Sequence, residues 1–462
     1  MKKLLILFIA AGLITSGCRK IEVDGGTTTV NPGTGSENTI LEGRITENRT
    51  LKAQYTYKLR GLVYVTNGAV LTIEPGTKIV GESNRNGGLV ITRSAKISAD
   101  GTADKPIVFT SEAATPQRGD WAGLVLLGNA PTNASFNGQA GVGEIEGGIN
   151  NSDGLGLYGG TNPADNSGVL RYVRVEYAGY AFLPDKEVNG ITFGGVGNQT
   201  IVDYVQVSYA NDDSFEWFGG TVNCKHLIST RALDDDFDSD NGFSGKVQFG
   251  IVQRDSAVAD VSNSEAFESD NDANGSSLTP QTSAIFSNIT ALGPKATLAN
   301  IGNSKFLGGV QIRRNSSISL YNSIVAGWPQ GLIIDATKGV ATDLNITSAN
   351  PSLWVQNTII AGCPQPVVYS ASPTAPTGAT QASILNWFNS AANGNAILAN
   401  VADLGLTAAF NYTNPDFNPS SAASPAAGGA SFTSSRLSGL VNVAYKGACA
   451  VGDTWWKGWT KF

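Results

Sequence analysis

The side chains best suited to chemistry lie between Asp203 and Asp272. That window holds 15 Asp and Glu against four Lys and Arg, a net of −11, whereas the whole chain carries 38 acids and 31 bases, a net of −7. One pattern occurs there three times. Ser208-Tyr209-Ala210-Asn211-Asp212-Asp213-Ser214-Phe215-Glu216 aligns with Thr230 to Asp238 at an offset of 22, and Glu265-Ala266-Phe267-Glu268-Ser269-Asp270 follows after an insertion. Registering the copies on Phe215, Phe237 and Phe267 puts Asp213, Asp235 and Glu265 in one column and Glu216, Asp238 and Glu268 in a second, with Asp240 beside Asp270 in a third. If the copies stack as neighbouring strands, like carboxylates stand about 4.8 Å apart. They then repel, and their pKa values rise unless a cation or a hydrogen-bond donor compensates them.

A bound metal is the economical compensation. Asp270-Asn271-Asp272-Ala273-Asn274-Gly275 matches the D-x-[DN]-x-[DN]-G opening of a calcium loop, in which alternate oxygens converge and glycine permits a sharp turn. Gln281 stands at the twelfth position, where an EF-hand has glutamate, so a site here is partial or of a solenoid type. Oxygen ligands with a single histidine, His226, and few cysteines favour Ca²⁺ over zinc or copper. The expected ligands are Asp213, Glu216, Asp235, Asp238, Asp240, Glu268, Asp270, Asp272 and Asn274. The competing expectation is a solvated acidic face whose turn Asp and Asn cap backbone amides.

Two classes of function fit such a window. In the first, a non-catalytic binder holds a glycan, peptide or partner along a flank exposed by Trp217, Phe218, Phe243 and Trp328, with Arg231 beside it and calcium as a tie. In the second, the protein is an enzyme on polysaccharide. A Lys or Arg among Lys225, Arg231, Lys246, Arg254, Arg313 and Arg314 would be the base of a β-elimination, or a pair such as Asp213 and Asp235 would hydrolyse a glycoside. Binding is the preferred expectation, because no catalytic histidine motif accompanies the acids. A sequence pI of about 4.9 argues against nucleic acid as a partner.

The elements that must position these side chains are short apolar runs separated by turn residues, among 55 glycines and few helix-forming stretches. Examples are Val70-Leu71-Thr72-Ile73, Leu124-Val125-Leu126-Leu127 and Ile201-Val202-Asp203-Tyr204-Val205-Gln206-Val207. A repeat near 22 residues suits one coil of a β-solenoid, and the class expected is an all-β, right-handed parallel β-helix over 41–365. Residues 366–462 are expected to form decorated last coils and a cap, with a helical turn at Gln381–Phe388; a carbohydrate-binding module using Trp455, Trp456 and Trp459 is the alternative. At the other end, Met1-Lys2-Lys3, an apolar run to Ile14 and Thr15-Ser16-Gly17-Cys18 read as a signal peptide over 1–17. Cys18 is the expected lipidation site and 18–40 a flexible, Gly/Thr/Ser-rich tether. Cys224 is expected to be a small buried hydrophobe. Cys224, Cys363 and Cys449 form no disulfide framework, although one pair could close in an oxidising compartment.

With the coils laid out, the chain resembles the pectate-lyase-like right-handed β-helix superfamily. It is similar in particular to surface lipoproteins of Bacteroidetes and some proteobacteria. The resemblance is carried by Val70-Leu71-Thr72-Ile73-Glu74-Pro75-Gly76-Thr77-Lys78-Ile79, by Asp212-Asp213-Ser214-Phe215-Glu216-Trp217-Phe218-Gly219-Gly220-Thr221-Val222-Asn223 and by the tail Trp456-Lys457-Gly458-Trp459. It implies the fold and an address at the outer membrane, lipid-anchored on the cell surface. It permits a partnership with an outer-membrane nutrient transporter and implies no catalytic residue. Glu22 and Asp24 resemble a surface-export signal.

Overall fold

The computed structural model describes residues 37–83, 86–183, 186–295, 297–299 and 302–462. The signal segment, Cys18, Glu22, Asp24 and the tether up to residue 36 lie outside the described residues.

From Ile40 onward the chain winds as a right-handed parallel β-helix with three strand-bearing faces. The face that bears the acidic columns carries Leu124–Leu127, Ile191–Gly194, Phe215–Phe218, Phe237–Asp240, Ser264–Ser269, Phe306–Ile312, Gln330–Asp335 and Gln365–Ser370. Each pairs in parallel with the next. Side chains alternate across a strand, so a residue facing in on one coil stacks on its counterpart in the next. Ile191, Phe215, Phe237, Phe267 and Val310 form one such inward row, in register and fully buried. The same alternation sends Glu216, Asp238 and Glu268 outward.

The other two faces meet at a sharp corner where one residue per coil takes a left-handed conformation. It is Tyr172, Tyr204, His226 and Phe249 in the middle coils and Asn288, Asn322 and Asn357 in the later ones, with φ between 48° and 64°. That conformation costs a non-glycine residue about 1–2 kcal/mol. Stacking offsets the cost. The rings of Tyr172 and Tyr204 lie 4.5 Å apart, Tyr204 and His226 4.2 Å, and His226 and Phe249 5.0 Å. His226 also hydrogen-bonds Asp203 through Nδ1 at 2.7 Å, so the only histidine is held in a structural stack.

The C-terminal part divides in two. Helix Gln381–Phe388, whose Thr380 hydroxyl accepts from Ser383 N, turns Ile384 and Phe388 into the core at the end of the solenoid. Strand Ala396–Leu398 then adds to Ile359–Ala361. Beyond Val401 the chain is not an end cap. It runs back along the flank as a strap, held by Asn322 to Ser431, Asn288 to Tyr445, Gln248 to Val441 and Arg174 to Trp459. Trp456 and Trp459 are buried between this strap and the solenoid, which leaves no exposed row of three tryptophans for a sugar-binding module. Cys224, Cys363 and Cys449 are buried thiols without disulfides, Cys224 in the main core.

Trp217 is expected to be a keystone of the coils under the acidic columns. It is fully buried and stacks on Phe193, Phe215 and Phe243 at 5.7, 6.0 and 5.2 Å. Trp217→Ala should destabilise the solenoid by about 3–5 kcal/mol, read as a lower urea midpoint; an unchanged midpoint would show that the stack contributes nothing.

Candidate functional site

The acidic columns occupy the bend that leads into the face carrying Phe215–Phe218 and Phe237–Asp240, and the outward positions of its strands. Asp213 and Asp235 sit in the bend two residues before Phe215 and Phe237. The backbone N–H of Asp235 donates to Asp213 Oδ1 at 2.8 Å, and that of Glu265 to Asp235 Oδ1 at 2.6 Å. One oxygen of each carboxylate therefore caps the next coil. The carboxylates also converge: Asp212, Asp213 and Asp234 form one group, Asp213, Glu216 and Asp238 a second, and Asp235, Glu265 and Glu268 a third. In each group one oxygen per side chain lies within 4.8 Å of the others.

Burial and repulsion act together on these groups. Asp213 is pushed well above the usual carboxylate range by burial, then by Asp212, Asp238 and Asp234. Glu216 is raised by burial, Glu146 and Asp238, and Asp238 by burial, Glu268 and Asp240. Burial and Glu265 raise Asp235. Glu265 rises to about 8 through burial and Glu268, Asp234 to about 7 through burial and Asp260, and Glu268 to about 7 through burial, against the opposing pull of Arg313.

Positive charge enters at one edge. Arg313 bonds Glu268 and, at 2.9 Å through Nε, Asp270, and Arg314 bonds Asp270. Burial would lower Arg313, but Glu268 and Asp270 outweigh it and hold the guanidinium above its ordinary value. Arg254 is fully buried, paired with Asp236 at 3.3 Å. Among the described residues, no salt bridge reaches Asp213, Glu216, Asp234, Asp235, Asp238 or Glu265. Glu216 takes its compensation from Asn189 Nδ2, a bond that depends on the tight seating of Asn189. Gly123 permits that seating, since with φ 139° a Cβ there would lie 2.2 Å from Asn189 O.

Two of the side chains that line the acidic cavity carry an oxygen without a hydrogen-bond partner. Asp238 Oδ1 and Gln311 Oε1 are buried without a hydrogen bond. Gln311 pairs in register with Glu268 and lines the same cavity of about 400 Å³ as Asp213, Asp235, Asp238 and Glu265. Asp234 and Ser262 also line a neighbouring cavity of about 520 Å³, together with Asp212, Asp260 and Glu146.

Of the expected ligands, the fold brings Asp213, Glu216, Asp235, Asp238 and Glu268 together. The calcium-loop stretch does not converge as a ligand set. Asp270 is held by Arg313 and Arg314, Asp272 accepts from Asn274 N at 2.8 Å and Ser276 N at 3.1 Å, and Asn274 is exposed. Asp240 accepts from Asn241 N. The aromatic flank also needs correction. Trp217, Phe243 and Trp328 point inward and are fully buried, because alternation from the outward acids puts Trp217 in the core row; Phe218 alone of the four is outward and half-buried. Arg231 lies over Tyr209 and Tyr412, at 5.2 and 5.5 Å from their centroids, beneath the strap and not among the cavity's lining residues. Lys246 bonds Ser438 O, also on the strap side. Sequence reasoning missed Asp212, Asp234, Asn189 and Gln311. Register with Glu268 would have found Gln311, whereas Glu146 comes from an insertion with no periodic signal.

Residues 43–397 match the family model of a pectate-lyase-like beta helix domain. No curated protein and no solved structure matches the chain.

The raised carboxyls fix the sign of a pH effect. A folded state that binds protons more tightly than the unfolded chain loses stability as pH rises through the gap between the two pKa values. For Glu265 that gap runs from the ordinary 4.5 to about 8. In chelator, the melting temperature should fall across this range, and Glu265→Gln should reduce the fall. A melting temperature that is flat or rising with pH would mean that the carboxyls are already compensated within the protein.

Proposed function

The chain belongs to the pectate-lyase-like β-helix family, and on that scaffold we propose that the acidic cleft is a divalent-cation-dependent ligand-binding site. In this reading the protein is a lipid-anchored surface protein of the outer membrane that holds glycan without cleaving it. It serves there as an accessory to a nutrient transporter.

The observation that carries the reading is that Asp238 and Gln311, which line a cavity whose carboxylates repel one another, each bury an oxygen without a hydrogen-bond partner. A hard cation with oxygen ligands answers both deficits at once. Asp213, Glu216 and Asp238 would hold one such ion, and Asp235, Glu265, Glu268 and Gln311 offer a second oxygen set. Calcium fits this donor chemistry better than magnesium, because carboxylates spread over successive coils suit a high, flexible coordination number. The Arg313 guanidinium, held protonated by Glu268 and Asp270, is poorly suited to take a proton in a β-elimination. Hydrolysis is the second reading, favoured by Glu265, whose pKa near 8 would keep a proton available for a leaving group.

The test is thermal melting of the mature protein in chelator and in calcium. Calcium should raise the melting temperature by mass action, and the double substitution Asp213→Asn, Asp238→Asn should abolish the rise. An unchanged wild-type melt, with a more stable double mutant, would identify a solvated acidic face instead. New ultraviolet absorbance from unsaturated product, or reducing ends released from a polysaccharide, would replace the non-catalytic reading. The address is tested in cells: Cys18→Ala should release the protein from the membrane fraction, and continued co-sedimentation would contradict lipid anchoring.

A further inference from the structure

We infer that the pocket adjoining the acidic cleft, lined by Asn133, Phe136 and Phe218, is a subsite for a neutral pyranose ring of a glycan. The inference rests on the ligand-binding reading of the cleft and names the chemistry of what is bound there.

Phe218 points outward from the same strand as Glu216, two residues further on, so its Cα lies about 6.6 Å along the strand from that of Glu216. It packs against Tyr158, with centroids 6.0 Å apart and planes tilted by 39°, and stays half-buried. Phe136, also half-buried, comes from the short hairpin Ser135–Phe136 with Gln139–Ala140. Together they line a pocket of about 420 Å³, within the range of small-ligand sites, whose other walls include Asn241, Asn274 and Asp272. Glu146 borders both this pocket and the neighbouring acidic cavity, which places the two side by side.

Asn133 supplies the polar signal. It is 5% exposed, and its Nδ2 donates to Asn271 O, Asn271 Oδ1 and Pro280 O at 2.9, 3.1 and 3.1 Å. Those three acceptors fix which way the amide faces, since a flip would set oxygen against oxygen. Its Oδ1 is left buried without a partner in a residue that lines the pocket. A buried acceptor of this kind calls for an O–H or N–H from a ligand. A pyranose offers a hydroxyl edge for Asn133 and the carboxylates, and an apolar C–H face for the phenyl rings. Charge selects among sugars. The pocket carries Glu144, Glu146 and Asp272 and no Lys or Arg among its described lining residues, so a uronate or sulfated ring is repelled and a neutral one is not.

The experiment is calorimetric titration of the mature protein with hexasaccharides of glucose, mannose, galactose and xylose, and with hexagalacturonate. At least one neutral hexasaccharide should bind. Phe136→Ala and Phe218→Leu should each weaken it tenfold or more, whereas Phe136→Tyr, which keeps the ring, should retain it. The inference is overturned if no neutral hexasaccharide binds, if hexagalacturonate alone binds, or if both ring-removing variants bind as wild type does. Melting in calcium reports separately on the cation. Ring-dependent binding in a protein whose melt ignores calcium would uphold the subsite and remove the cation, and a calcium-stabilised protein that binds no neutral sugar would do the reverse.

Discussion

Parallel stacking forces each residue on a strand to lie against its counterpart one coil away, about 4.8 Å distant. For apolar side chains the repetition is favourable, and the inward row of Ile191, Phe215, Phe237, Phe267 and Val310 gains burial and ring contact from it. For carboxylates it is unfavourable. The register that aligns Phe215, Phe237 and Phe267 also aligns Glu216, Asp238 and Glu268, so the core and the repulsion come from one geometric constraint.

The protein treats this repulsion differently at different heights. At the Glu268 and Asp270 end, Arg313 and Arg314 supply positive charge. In the bend, backbone amides of the following coil bond Asp213 and Asp235. In between, around Glu216 and Asp238, one asparagine amide serves Glu216 and an oxygen of Asp238 has no partner. The insertions that precede Ser264 and that follow Leu127 then wall off the region, which strengthens every interaction within it.

The β-helix was legible because the strand pattern and the 22-residue repeat are local signals, and the coil register followed from aligning three phenylalanines. The acidic columns followed from the same alignment, and the parallel strand pairing places Glu216, Asp238 and Glu268 in one register. The aromatic flank was misread because Trp217 is one residue from Glu216, and on a strand that single step changes the side of the sheet. The calcium-like run at Asp270 was misread because its motif says nothing of Arg313 and Arg314, which arrive from a coil more than 40 residues later. Nor does a repeat reveal insertions: the pocket at Asn133 and Phe136 is built from a segment between coils, and the strap beyond Val401 reaches back over corners formed by residues 174 to 322.

The central claim is that the repulsion at Asp213, Glu216 and Asp238 is relieved by a cation. The most direct measurement is an anomalous-scattering map of crystals grown in calcium and soaked with a lanthanide of similar radius. The account predicts a peak bonded to oxygens of these three side chains at typical calcium distances of about 2.3–2.6 Å. An anomalous map empty at this position, with the carboxyls hydrogen-bonded to one another as protonated acids, would contradict it.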